Sequence, residues 1–176
     1  MDHNQRLGEA APELIRRELR TFIAEIEPAL QSGNFDDLHA ARIAGKRLRY
    51  DLEFFQTVLG AGARKAQDIM KQLQDRLGFI ADATTFDRYY RSLLDELDER
   101  DPRIIGLLAR RDAVHRERAH ELDELRALWS PGNGKGYGET LVASINSVAP
   151  SRRSTPASSN GGSIAGATAS KETSRA

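Results

Sequence analysis

Large apolar residues recur every three or four positions in successive segments between residues 12 and 129, and this spacing limits what the chain can fold into. In residues 12–30, they share one face of a helix when projected at about 100° per residue. These residues are Leu14, Ile15, Leu19, Phe22, Ile23, Ile26 and Leu30. Strand-like alternation is absent from the sequence. We therefore predict an all-α fold, an antiparallel helical bundle of four to five helical segments.

Glycine and capping residues divide the first half of this region into helices. Gly33 and Asn34 fit the end of the first helix, and Asp36 or Asp37 fits the N-cap of the second. The second helix is expected to run to about Leu59, where a Gly-Ala-Gly stretch follows.

The second half shows two further boundary signals. Gly78 predicts a kink or a break in the third segment, and Asp82 is expected to cap a fourth. Asp101 and Pro102 mark the start of the last helix, because proline tolerates the first helical position. This helix is expected to extend to about Trp129.

The composition changes after Trp129. Residues 130–176 are rich in Ser, Gly, Ala, Thr and Pro and contain almost nothing large to bury. Such a segment cannot offset the entropy lost on ordering. The sequence therefore predicts a helical domain over residues 12–129 and a disordered C-terminal tail over residues 130–176.

Overall composition excludes several classes of protein. The 176 residues contain no cysteine, which rules out disulfides, thiolate metal sites and cysteine nucleophiles. No apolar run approaches the roughly 20 residues that span a bilayer, and the first residues lack the apolar centre of a secretory signal. We therefore expect a cytoplasmic protein without a membrane partner. The formal net charge is zero, so any polyanion partner has to be argued from the local arrangement of charges.

A row of cations lies beside the apolar face of the second predicted helix. Its members recur at helical spacing, and Tyr50 and Glu53 share the same band. They are His39, Arg42, Lys46 and Arg49. A row that rises about 5 Å per turn can meet an extended anionic chain at successive or alternating phosphates. The alternative is a solvated edge paired with carboxylates such as Glu53.

Other predicted helices also place cations at or beside core positions. Those of the last helix project into its apolar stripe, where a buried charge needs a partner. Carboxylates such as Glu53, Asp82 and Glu96 could supply partners; otherwise the stripe faces a basic, water-filled cavity. The cations are Arg111, His115 and Arg118 in the last helix, Arg16 and Arg20 in the first, and Lys71 in the third.

Two stretches resemble the motifs of a known family. LHAARIAGKRLRYDLEFF, at 38–55, is similar to the signature of the CHAD domain, the conserved histidine alpha-helical domain. LQDRLGFIAD, at 73–82, is similar to a second motif of that family, with Ala81 where an asparagine is usual. The resemblance covers about residues 12–129.

The resemblance implies a helical bundle that binds inorganic polyphosphate in a basic channel without a cofactor. Its phosphate ligands would be His39, Arg42, Lys46 and Arg49, with Lys71 as a neighbour. CHAD domains usually comprise two similar bundles around the channel, and this chain resembles only the C-terminal one. The chain is therefore expected to form a homodimer or to pair with a second CHAD half.

Three function classes follow from these observations. The leading hypothesis is a non-catalytic polyphosphate binder, associated with polyphosphate granules. The second is a metal-dependent phosphohydrolase accessory, although the sequence offers no prominent nucleophile. The third is a protein-interaction bundle, a degenerate half-domain. Nucleic acid is disfavoured as a partner because aromatic residues, which stack on bases, make up only 6% of the chain.

Overall fold

The computed structural model describes residues 3–130 and 136–148, without the side chains of residues 3–9 and Val58. The described residues are helical and contain no strand, which confirms the all-α prediction. The five helices are α1 (His3–Ser32), α2 (Phe35–Phe54), α3 (Gln56–Asp95), α4 (Arg103–Trp129) and α5 (Tyr137–Asn146). Within these ranges, none of the helices is both long enough and apolar enough to cross a bilayer.

Successive helices pack against each other, α1 on α2, α2 on α3 and α3 on α4, while α5 lies against α3 and α1. Two side chains of α3 bond the backbone of α2: Gln67 donates to the Leu52 carbonyl and Gln74 to the Arg42 carbonyl. This pairing shows that α2 and α3 run antiparallel. One continuous core includes the fully buried Phe22, Leu48, Met70, Leu73 and Leu125.

The turn between α1 and α2 lies where the sequence predicts it. Gly33 adopts a positive φ of 63°, which favours glycine. The N-cap of α2 is Asn34, not Asp36 or Asp37 as expected, and its side-chain oxygen accepts from the Asp37 N–H at 2.8 Å. The Asp37 carboxylate in turn accepts from Ser32 and Asn34, each at 2.6 Å. The aspartate therefore supports the cap from inside the helix.

The boundary between α2 and α3 differs slightly from the prediction. α2 ends at Phe54 instead of continuing to Leu59, and Phe55 separates it from α3. Gly60 has a φ of 71° and kinks the first turns of α3. The glycine signal was therefore correct, but it marks a kink just inside the next helix.

The predicted break at Gly78 was wrong, and so was the helix start at Asp82. Both residues lie inside α3, which continues from Gln56 to Asp95. Leu77 and Ile80, on either side of Gly78, are buried in the core. Their burial outweighs the roughly 1 kcal/mol that a glycine costs inside a helix.

The start of α4 lies close to its predicted position. The Asp101 carboxylate accepts from the backbone N–H of Arg103 at 2.9 Å and also from its guanidinium. These bonds lower the pKa of Asp101 to about 2. α4 ends at Trp129, as predicted.

Helix α5 corrects the expected extent of the disordered tail. Residues 137–146, inside the predicted tail, form a helix. Leu141, Ile145 and the following Val148 are buried in the core. Gly138 packs closely against the buried indole of Trp129. Residues 131–135 and 149–176 of the predicted tail lie outside the described residues.

Two glycines of the bundle should respond oppositely to alanine. A Cβ at Gly78 would meet nothing within 4 Å, so Gly78→Ala should raise the free energy of unfolding by about 0.5–1 kcal/mol. A Cβ at Gly45 would lie 2.3 Å from Gln74 Nε2 and 3.0 Å from the Phe22 ring, so Gly45→Ala should destabilise. Urea unfolding of both variants tests this. A loss of stability in Gly78→Ala would contradict the open surface at that position.

Candidate anion-binding site

Three cations of the predicted row lie along the edge of α2 that faces α3. Arg42, Lys46 and Arg49 are half-buried there, and the Gln74 side chain of α3 bonds the Arg42 carbonyl at 3.3 Å. Asp51 lies on the opposite edge, towards α1. Burial raises the pKa of Asp51, and the nearby Glu18 raises it further. The two edges of α2 therefore differ in charge.

Arg49 is held by two neighbours in the same helix. Its guanidinium pairs with the Glu53 carboxylate at 2.5 Å, and its Cζ lies 4.6 Å from the centroid of the Tyr50 ring. The Glu53 side chain is 46% exposed, and such surface pairs contribute little to stability. An incoming phosphate can therefore replace Glu53 at low cost, while Tyr50 still supports the guanidinium.

Arg42 has an unsatisfied hydrogen-bond donor. Its Nε is buried and has no hydrogen-bond partner among the described residues. A buried donor without a partner costs free energy. An anion at this edge could accept from the other N–H groups of the guanidinium, while the buried Nε stays out of its reach.

α3 supplies the other wall of the site. Lys71 is exposed, and at about 100° per residue it lies within roughly 60° of both Gln67 and Gln74, whose amides bond α2. Lys71 therefore lies towards the α2 side of α3, and the exposed carboxylates Asp68 and Asp75, three and four positions away, flank it at the same angles on its solvent side. We call this surface the α2–α3 groove, formed by Arg42, Lys46 and Arg49 of α2 and by Gln67, Lys71 and Gln74 of α3.

A further cation that sequence reasoning missed lies at one end of this groove. The Cζ of Arg88, in α3, lies 4.3 Å from the centroid of the Phe35 ring, and that ring stacks on His39 at 5.7 Å. Arg88 lies fourteen positions after Gln74, only about 40° around the helix from it, although it is about 100° from Lys71. That signal was available in the sequence, but the break predicted at Gly78 separated the two ends of the stripe.

Arg111 and His115 lie apart from the α2–α3 groove, at the interface between α3 and α4. Both pair with the Asp87 carboxylate of α3 at 2.7 Å. Burial alone would raise the pKa of Asp87, but hydrogen bonds from Arg111 and His115 and their positive charges lower it. A carboxylate therefore pairs with both side chains, as in the first of the two alternatives that the sequence left open. That carboxylate is Asp87, not Glu53, Asp82 or Glu96.

The three remaining predicted cations are also apart from the α2–α3 groove. Arg118 donates to the Gly33 carbonyl at 2.9 Å, while its Nε is buried without a partner among the described residues. Arg16 donates to the Val148 carbonyl at 3.3 Å. Arg20 pairs with Glu13 at 3.4 Å. The structure therefore brings together the α2 row and Lys71, and it leaves the cations of α1 and α4 in other contacts.

The α2–α3 groove is a surface site. Its cations are exposed or half-buried, and two clefts of about 460 and 380 Å³ lie elsewhere, beside Trp129 and beside Phe79. An enclosed basic channel therefore stays a prediction that needs a second bundle. Among the described residues, no cluster of three or more His, Cys, Asp or Glu could hold a metal ion.

Comparison with known proteins identifies the family. The family model of the CHAD domain matches residues 2–91, just over half of the chain. The chain therefore belongs to the CHAD domain family, which is associated with polyphosphate binding. The match spans α1, α2 and α3 as far as residue 91, so it includes the α2–α3 groove and ends before α4. No curated protein and no solved structure matches the chain.

The ion pairs of Asp87 should make the free energy of unfolding depend on pH in the acidic range. Because the folded-state pKa of Asp87 is below the ordinary value of 3.8, its contribution is complete above that value and is lost as pH falls through the folded-state pKa. Asp87→Asn should lower the unfolding temperature by a few degrees at pH 7, and the difference should disappear in acid. Thermal unfolding across pH measures this. Asp68→Asn, at an exposed carboxylate of the same helix outside any ion pair of the described residues, is the control; equal profiles for the two variants would contradict the role of Asp87.

Proposed function

We propose that this protein binds inorganic polyphosphate, without catalysis, along the α2–α3 groove. The observation that carries the proposal is the convergence of Arg42, Lys46 and Arg49 of α2 with Lys71 of α3 on one surface. Membership of the CHAD domain family supports polyphosphate as the anion. A cytoplasmic location beside polyphosphate granules is part of this proposal.

The geometry of the groove suits a linear chain of phosphates. Arg42 and Arg49 are seven positions apart, or about 10 Å along the helix axis, with Lys46 between them. Arginine presents forked donors to phosphate oxygens and lysine presents a point charge. Guanidinium, ammonium and amide groups bind phosphate oxygens at neutral pH, so we propose binding as the function, not turnover.

Replacing the three α2 cations should abolish most of this binding. In Arg42→Gln/Lys46→Gln/Arg49→Gln, affinity for long-chain polyphosphate should fall on the order of 100-fold at low salt. By analogy with single-stranded nucleic acid, the slope of log K against log salt should also decrease by roughly 2, because about three fewer counterions are released. Titration calorimetry at several salt concentrations measures both quantities.

A matched variant separates the groove from net charge. Arg47→Gln/Lys65→Gln/Arg116→Gln removes the same charge, two arginines and one lysine, from exposed side chains with no ion pair among the described residues. Arg47 is on α2 itself, nearly opposite the middle of the cationic edge. This control should retain most of the affinity. Equal losses in the two triple variants would show that the protein binds polyanions non-specifically and would refute the site.

A second function, self-association, is favoured by the end of the α3–α4 hairpin. Residues 84–113, which we call the α3–α4 arm, extend past the α1–α2 turn and contain no buried residue. Four large apolar side chains of the arm are exposed: Phe86 (53%), Tyr89 (56%), Ile105 (79%) and Leu108 (42%). Two helices cannot enclose a core, whereas two such arms together could form a four-helix bundle.

The charges of the arm suit an antiparallel pair of identical arms. Residues 95–101, at its tip, contain five acidic residues and one arginine. Its base carries four arginines, Arg88, Arg91, Arg110 and Arg111, against two aspartates, Asp87 and Asp112, and is therefore net positive. A two-fold axis would place each acidic tip against the basic base of the other copy. We therefore propose a second copy of this chain as the partner of the arm.

Polar substitutions on the arm should weaken this dimer. Phe86→Ser/Ile105→Ser should raise the dimer dissociation constant at least about tenfold, because each side chain loses apolar burial at the interface. Sedimentation velocity over a concentration series measures it. Phe54→Ser, at the 75% exposed ring where α2 ends, should leave the dimer unchanged. A wild-type protein that is monomeric at every concentration would rule out this second function.

A further inference from the structure

Arg88, Phe35 and His39 form an aromatic and cationic stack at the end of the α2–α3 groove where α2 begins. The guanidinium of Arg88 covers the Phe35 ring at 4.3 Å from its centroid, and His39 stacks on the same ring with an interplanar angle of 29°. Phe35 is the first residue of α2, whereas Arg88 is near the end of α3. The stack therefore places the Arg88 guanidinium of α3 beside the first turn of α2.

We propose that this stack is an additional phosphate-binding position, with Arg88 as its principal ligand and His39 beside it, and that it gives the protein a preference for long polyphosphate chains. The inference rests on the proposed function, because it extends the groove assigned above. The family motifs quoted from the sequence include His39 but not Arg88, which lies beyond residue 82.

The Phe35 ring prepares the Arg88 guanidinium for an anion. A guanidinium stacked on an aromatic face is partly ordered before binding, and its N–H donors still point outward around its edge. Less side-chain entropy is then lost when a phosphate binds. The Arg88 side chain is exposed, so these donors are accessible.

The nearest carboxylate in the sequence is already engaged by other cations. Asp87 pairs with Arg111 and His115 at 2.7 Å and with Arg91 at 3.3 Å. Arg88 itself has no ion pair with any described residue. Three cations around one aspartate leave the positive charge of Arg88 available for a ligand.

Two carboxylates of α2, those of Asp36 and Asp37, lie on the other side of the proposed phosphate position. Asp37 accepts hydrogen bonds from Ser32 and Asn34 in the α1–α2 turn. Asp36 is exposed and lies about 100° around the helix from Phe35. Neither pairs with Arg88, although Asp36 reduces the positive potential at this end of the groove. The stack therefore acts as an extension of the α2 cations and does not replace them.

Distance along the helix connects the stack to chain length. Arg42 to Arg49 covers about 10 Å of helix axis, whereas Phe35 to Arg49 covers about 21 Å. Inorganic tripolyphosphate is too short to contact both ends, and it binds at Arg42, Lys46 and Arg49, because three cations lie within about 10 Å there whereas the stack adds Arg88 alone. A long chain can contact the α2 cations and the stack together, and additional phosphate contacts increase affinity steeply.

The test compares Arg88→Gln with wild type on these two ligands. Long-chain polyphosphate should bind about tenfold more weakly to Arg88→Gln, because one charge-assisted contact is lost. The affinity for tripolyphosphate should change less than about twofold. Arg116→Gln, which removes an exposed arginine of α4 outside the arm, is the matched control and should change neither.

Phe35→Leu tests the role of the ring. It keeps an apolar side chain but removes the aromatic face, so long-chain affinity should fall part of the way towards that of Arg88→Gln. The double variant should be no weaker than Arg88→Gln alone, because both changes remove the same contact. Thermal unfolding of each variant confirms that it is folded at the titration temperature.

The outcomes separate this inference from the proposed function. If Arg88→Gln binds both ligands as Arg116→Gln does, the stack is not a phosphate position, while the α2–α3 groove still stands provided that the triple α2 variant loses binding. Equal losses for both ligands in Arg88→Gln would also overturn it, because the length preference would be absent. If the triple α2 variant keeps full affinity, the proposed function fails and the inference fails with it.

Discussion

The rest of the fold depends on how closely the helices approach α2 at Gly45. With no side chain there, Phe22 of α1 and Met70 and Gln74 of α3 come within 2.3–3.2 Å of the position that a Cβ would occupy. Ala41 and Ala44 continue the same buried stripe with small side chains. α1 and α3 can therefore both close on α2, and the bonds from Gln67 and Gln74 to α2 carbonyls fix the distance between α2 and α3.

That close approach also decides where the charges of α2 lie. A stripe filled by α1 and α3 leaves no room for long side chains, so the charged residues occupy the two edges. The edge towards α1 carries Asp51, close to Glu18 and Arg17. The edge towards α3 carries Arg42, Lys46 and Arg49, opposite Lys71 and the amides of α3. The packing of α1 and α3 on α2 therefore determines where the cations of the candidate site lie.

Predictions from sequence were correct where the local signal agreed with burial in the core. They were wrong where burial favoured a different structure from the local signal. Apolar periodicity located α1, α2 and α4, although α1 begins at His3, before the predicted start at residue 12. Asp101 with Pro102 marked the start of α4 within a residue. Gly78 misled because burial of its neighbours in α3 outweighs a local propensity, and the error concealed Arg88. α5 was missed because its few apolar residues stand in a Gly- and Ser-rich segment. Its stability comes from packing on distant residues, which a local pattern does not contain.

Helical spacing alone could not distinguish a cation that binds an anion from one that a carboxylate satisfies. Arg42 and Lys46 are four positions apart, and so are Arg111 and His115. The difference lies on the facing helix: α3 presents the Asp87 carboxylate to α4, but the amides of Gln67 and Gln74 to α2. A row of cations is therefore a candidate anion site only when the helix packed beside it supplies amides or further cations in place of carboxylates. The α2–α3 groove meets this condition, whereas the contact between α3 and α4 does not.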